Sequence, residues 1–190
     1  MCDVVHAQGT ANAPSTNHIV GPGPSVFIGN ANNPIPIDLD PLGQPWTKTI
    51  TDPNMLLWPN GGGLTLNETM INVGTEPWYD WHEQIAPDIF GNVPAVWQFV
   101  FMTINGNPVG FTLNGMGTPN LDIYNFSQPV LPGDVLNIRK FVNVLPANAA
   151  IPPQPLVIHE YPTPEPASAA LIGLGATTLV FRRREVAQRT

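Results

Sequence analysis

The densest set of side chains able to do chemistry is Glu76-Pro77-Trp78-Tyr79-Asp80-Trp81-His82-Glu83-Gln84. His82-Glu83 opens a zinc-protease pattern, but that pattern needs a second histidine four residues on, where Ala86 stands, so it fails. Asp80, His82 and Glu83, with Asp88 further on, are metal-ligating and acid–base residue types. On a strand Asp80 and His82 share one face and Glu83 takes the other, so a common site requires a bend. Solvated strand-edge polar groups are the simpler reading, and no metal or cofactor is expected. Trp78 and Trp81 flanked by carboxylates suit a sugar ring, which is held by stacking and hydrogen bonds. A carbohydrate-binding module with Trp78 or Trp81 exposed in a shallow groove is one alternative, against core packing as the commoner fate of such rings. A hydrolase with carboxylates around His82 is a second. No nucleophile turn is recognisable, and Gly61-Gly62-Gly63 does not open a helix, so a non-enzymatic protein is the leading expectation.

The elements that position these groups read as strands. Trp46 to Thr51, Leu64 to Val73 and Val96 to Ile104 are apolar runs bounded by turn residues. Asn105-Gly106 signals a hairpin into Val109 to Leu113. In Val135 to Val144, Leu136, Ile138, Val142 and Val144 share one face, while Lys140 and Phe141 break the alternation. Leu131-Pro132-Gly133-Asp134 before it predicts a type II turn. About seven short strands at this spacing predict an all-β, antiparallel β-sandwich. Met70-Ile71-Asn72-Val73-Gly74-Thr75 followed by Trp78 and Trp81 resembles immunoglobulin-like bacterial surface domains.

Composition narrows the function classes. Seventeen glycines, twenty-three prolines and 11% charged residues favour loops and short strands over helices. Residues 1–163 carry twelve carboxylates against Lys48, Arg139 and Lys140. A body this acidic repels phosphate backbones, which argues against nucleic-acid binding. Cys2 is the single cysteine, so no intrachain disulfide or cysteine zinc site is expected.

The end of the chain has a different character. Pro162-Thr163-Pro164-Glu165-Pro166 forbids a helix, and fifteen uncharged residues from Ala167 to Phe181 then run into Arg182-Arg183-Arg184. As a helix that run extends roughly 22 Å, short of the ~30 Å hydrocarbon layer, with the arginines able to snorkel and stay cytoplasmic. Pro164, Glu165 and Pro166, then a Gly- and Ala-containing apolar segment, then an arginine cluster, resemble the PEP-CTERM sorting domain. That resemblance implies export, passage through the membrane by residues 167–181, processing by exosortase, and a final place on the cell surface or in an exopolysaccharide or biofilm matrix.

The expected organisation is a disordered N-terminal segment over 1–25, a sandwich over 26–145, a Pro-rich spacer over 146–163 and the sorting signal with its transmembrane helix over 164–190. Leu156-Val157-Ile158 in the spacer suits a short edge strand. Val5-His6-Ala7 and Ala11-Asn12-Ala13 look like the end of a signal peptide. A start lying upstream and a loose tail both fit them.

Overall fold

Period-two alternation of inward and outward side chains organises almost every element of the body. The structure, a computed structural model, describes residues 10–12, 16–19, 25–40, 45–51, 61–146 and 154–163. All lie in one compact unit, Gln8–Pro164. The apolar segment 167–181 and the arginines fall outside the described residues.

In chain order the strands are β1 (Thr10–Asn12), β2 (Thr16–Ile19), β3 (Ser25–Ile28), β4 (Ile35–Asp40), β5 (Trp46–Thr51), β6 (Gly62–Asn72) and β7 (Asp80–Ile85). They continue with β8 (Ala95–Ile104), β9 (Asn107–Pro108), β10 (Thr112–Asn114), β11 (Asn120–Tyr124), β12 (Val135–Val144) and β13 (Leu156–Thr163). One sheet runs β1-β4-β6-β12-β8-β9, with β3 also on β6; the other runs β10-β11-β7-β13-β5-β2. Together they form the expected all-β sandwich. Among the described residues its strands are thirteen and not about seven, and the sheets are mixed, because β3 and β4 pair parallel to β6 and β2 parallel to β5.

The core lies between the sheets. From the first come Leu64, Leu66 and Met70 of β6, Leu136, Ile138 and Val142 of β12, and Trp97 and Met102 of β8. Trp46, Trp81, Ile85, Ile123 and Ile158 belong to the same core from the second. Fully burying one such aliphatic side chain stabilises by about 1.5–3 kcal/mol.

Two turns form as their residues dictate. Asn105 and Gly106 both take positive φ, 50° and 80°, the geometry of a two-residue hairpin turn. Gly133 takes φ 88°, and Asp134 N–H donates to Leu131 O at 2.9 Å. After the first turn the chain forms β9 and then β10, not one strand over Val109 to Leu113.

The sandwich extends past both expected limits. β1 and β2 lie within the segment expected to be disordered, because their backbones find partners on β4 and β5. β13 lies in the expected spacer, and it is central and not an edge strand: it pairs β5 on one side and β7 on the other. Its alternation of Leu156, Ile158 and Glu160 inward suits a strand covered on one face, and the surrounding prolines obscured it.

Candidate functional site

The residues singled out by sequence do not converge. Trp78 and Trp81 are both fully buried, with ring centroids 5.7 Å apart. The exposed sugar platform expected of them is therefore not formed by these two rings. Trp78 precedes β7 and is fixed by backbone hydrogen bonds with Val130, which places its ring inside although parity with Asp80 would place it outside. Asp80 accepts from Asn125 N–H at 3.2 Å. His82 Nδ1 lies 2.8 Å from Asp122 Oδ1, and its ring stacks on Tyr161 at 5.2 Å. Both neighbours are its register partners on β11 and β13. Glu83 points into the core. Asp88 sits in a loop, accepting from the N–H groups of Phe90 and Asn92 and from the Asn92 amide. Asp80, His82, Glu83 and Asp88 thus do not share one site, because β7 sends His82 and Glu83 to opposite faces and the loop carries Asp88 away; the carboxylate that meets His82 is Asp122.

Glu83 instead belongs to a constellation that sequence reading missed. Lys48 of β5, Glu68 of β6, Glu83 of β7, Lys140 of β12 and Glu160 of β13 are buried together between the sheets. Lys48 Nζ contacts both Glu68 Oε1 and Glu160 Oε1. Lys140 Nζ reaches Glu68 Oε2 at 2.6 Å, Glu83 Oε1 at 2.5 Å and Glu160 Oε1 at 2.6 Å. Trp81 Nε1 donates to Glu83 Oε1 at 2.8 Å. The ring of Trp46 lies 5.1 Å from Lys48 Nζ and that of Trp97 5.6 Å from Lys140 Nζ, so apolar faces close the cluster and favour its cations.

The charges do not cancel: two ammonium groups meet three carboxyls. Burial alone lowers the pKa of Lys140, but Glu160, Glu68 and Glu83 outweigh it and raise the group well above the ordinary lysine range. Glu160 absorbs the imbalance. Burial and the neighbouring Glu83 push its carboxyl up to about 7 against the pull of Lys140 and Lys48. Glu83 Oε2 and Glu160 Oε2 are buried without a donor among the described residues. A proton held between these two carboxyls satisfies both oxygens.

Three carboxylates this close also have the spacing of a metal site. The ammonium groups argue against that use, since they occupy both oxygens of Glu68 and one each of Glu83 and Glu160. A signal for the cluster is present in the sequence. Each of the five residues is in phase with apolar neighbours two positions away: Trp46 and Ile50, Leu66 and Met70, Trp81 and Ile85, Ile138 and Val142, or Ile158. Lys140 and Phe141 do not break the alternation of β12; they keep its phase with their polarities exchanged.

That exchange builds a second feature, on the outer face of the first sheet. Phe27, Phe99, Phe101 and Phe141 are 73%, 54%, 46% and 38% exposed. Phe141 pairs with Phe99, and Arg139 with Phe101 and Asn67; Asn67 pairs in turn with Phe27. The extra residue Gln98 in β8 shifts the register beside Phe141, turning Phe99 outward as a bulge does. Gly63 leaves room for the Phe141 ring, with which a Cβ there would collide. Asn67, Asn137 and Arg139 border a shallow hollow beside Phe27 and Phe101.

The fold and these two features define a β-sandwich with a charged centre and an aromatic outer face. Residues 162–184 match the family model of the PEP-CTERM protein-sorting motif. The chain thus carries a PEP-CTERM sorting signal, which supports export, sorting by exosortase and direction to the cell surface with transient membrane anchoring. No curated protein and no solved structure matches it.

Proposed function

We propose that this protein is a non-enzymatic component of the cell surface or extracellular matrix that holds a neutral exopolysaccharide against its phenylalanine face. The observation that carries the reading is the set of exposed rings Phe27, Phe99, Phe101 and Phe141 on one sheet face, with Asn67, Asn137 and Arg139 among them. Rings of this kind stack on the apolar faces of sugars while amides and a guanidinium bond the hydroxyls. Residues 1–163 carry a net charge near −9, which disfavours acidic polymers and points to a neutral one. A two-sheet body with buried tryptophans also suits an immunoglobulin-like surface domain, which presents a face and turns nothing over.

Electrophoresis through native gels containing soluble neutral polysaccharides tests this. Retarded migration is expected, and the Phe99→Ser, Phe101→Ser double substitution is expected to abolish it. Migration unaffected by any neutral polysaccharide would sink the reading.

A further inference from the structure

The buried cluster brings an amine and a carboxyl together under conditions that favour their condensation. Lys48 Nζ touches Glu68 Oε1, and both side chains are fully buried. The other oxygen of the same carboxyl, Glu68 Oε2, is held by Lys140 Nζ at 2.6 Å. The carboxyl is therefore flanked by a nucleophile on one oxygen and a fixed cation on the other. Glu160 Oε1 touches the same Lys48 Nζ and is also reached by Lys140 Nζ at 2.6 Å. A proton acceptor thus stands against the amine. The indole of Trp46 lies over Lys48, and Leu66, Met70, Ile50 and Ile158 surround these strand positions in the dry core.

We propose that Lys48 and Glu68 condense into an intramolecular amide bond that joins the two sheets, with Glu160 relaying the protons and Lys140 holding the carbonyl oxygen. The Lys48 ammonium first gives a proton to Glu160 Oε1 and becomes a neutral amine. Its lone pair then forms a bond to Glu68 Cδ, and the carbonyl electron pair moves onto Oε2, where the Lys140 ammonium stabilises it. The pair on Oε2 then returns to re-form the carbonyl as the bond from Cδ to Oε1 breaks, and the electron pair of that bond leaves with Oε1. That oxygen takes up two protons, both originating on Lys48 Nζ and passed through Glu160, and departs as water. One ammonium and one carboxylate become one amide and one water, with no change of net charge and no oxidant or reductant.

Several features favour the product. Two buried charges are removed from a core in which each is costly to desolvate. The step is intramolecular, with the reacting groups already in contact. Glu160, pushed up to about 7 by burial and by Glu83, is suited to take and return a proton near neutral pH. What remains is Lys140 facing Glu83 and Glu160, which can share a proton.

The bond is read directly by mass. The full chain, expressed and folded, is digested and its peptides are fragmented, so that trimming at either end does not affect the result. The expected product is a branched peptide joining Lys48 to Glu68, lighter by one water than the sum of its two parts. Lys48→Met and Glu68→Met are each expected to abolish it, and Glu160→Gln to slow its appearance after refolding. Recovery of the two wild-type peptides separately overturns the proposal without any variant having to fold. A branch from Lys48 to Glu160 overturns the assigned roles.

Discussion

Lys140 Nζ stands 2.5 Å from Glu83 Oε1 across the gap between the sheets, and both side chains are shut off from solvent. Because the cluster holds one more carboxyl than ammonium, removing either sign does not have the same consequence. Lys140→Met leaves uncompensated buried carboxylates and is expected to destabilise by about 3–5 kcal/mol. Glu83→Gln keeps an acceptor for Trp81 Nε1 and balances the charges, so a change within about 1 kcal/mol is expected. Denaturant midpoints of the two variants check this; equal losses would contradict the charge accounting.

Stability depends on pH through Glu160. Its carboxyl is raised from 4.5 to about 7 in the folded chain, so the native state binds a proton that the unfolded state has released. Stability contributed by this group is complete below pH 4.5 and is lost as pH rises through 7, a change on the order of 3 kcal/mol. The melting temperature, followed between these values, is expected to fall. Glu160→Gln is expected to flatten the profile, and an unchanged slope would exclude Glu160 as its source.

The two aromatic sets respond oppositely to truncation. Phe99→Ser and Phe101→Ser, at exposed positions, are expected to leave stability within about 1 kcal/mol while weakening polysaccharide binding about tenfold. Trp81→Ala empties a fully buried site and is expected to cost about 3–5 kcal/mol. Thermal melts alongside affinity electrophoresis separate the two effects.

Sorting and folding are separable at Thr163, where β13 ends. Replacing Pro164, Glu165 and Pro166 by alanines, within the matched sorting motif, is expected to leave the melting temperature unchanged and to hold the protein in the membrane fraction. A chain ended before Leu156 loses a central strand and is expected not to fold. Release of the alanine variant at the normal rate would separate processing from this tripeptide.

Much of the fold was legible. The phase of β12, the Asn105-Gly106 hairpin and the Pro132-Gly133 turn follow from side-chain alternation and from residues that tolerate positive φ. The position of β13 was not, because Pro153, Pro155 and Pro162 around it read as a spacer. The candidate site was legible only in part. Glu83 drew notice as a neighbour of His82 and Lys140 as a break in alternation, whereas Lys48, Glu68 and Glu160 each stood as the one charge among the apolar positions in phase with it on its strand. A single charge in a strand looks like a defect until its partners are known.

Residue order determined by itself the strand faces, the turns, the acidic body and the sorting signal, since each is a local pattern of polarity, φ preference or charge. Only the tertiary structure decided that Lys48 meets Glu160, 112 positions away, and that Trp78 and Trp81 turn inward while four phenylalanines turn out. The reason is physical. A period of two defines two faces on every strand but does not say which face is covered, or by which other strand.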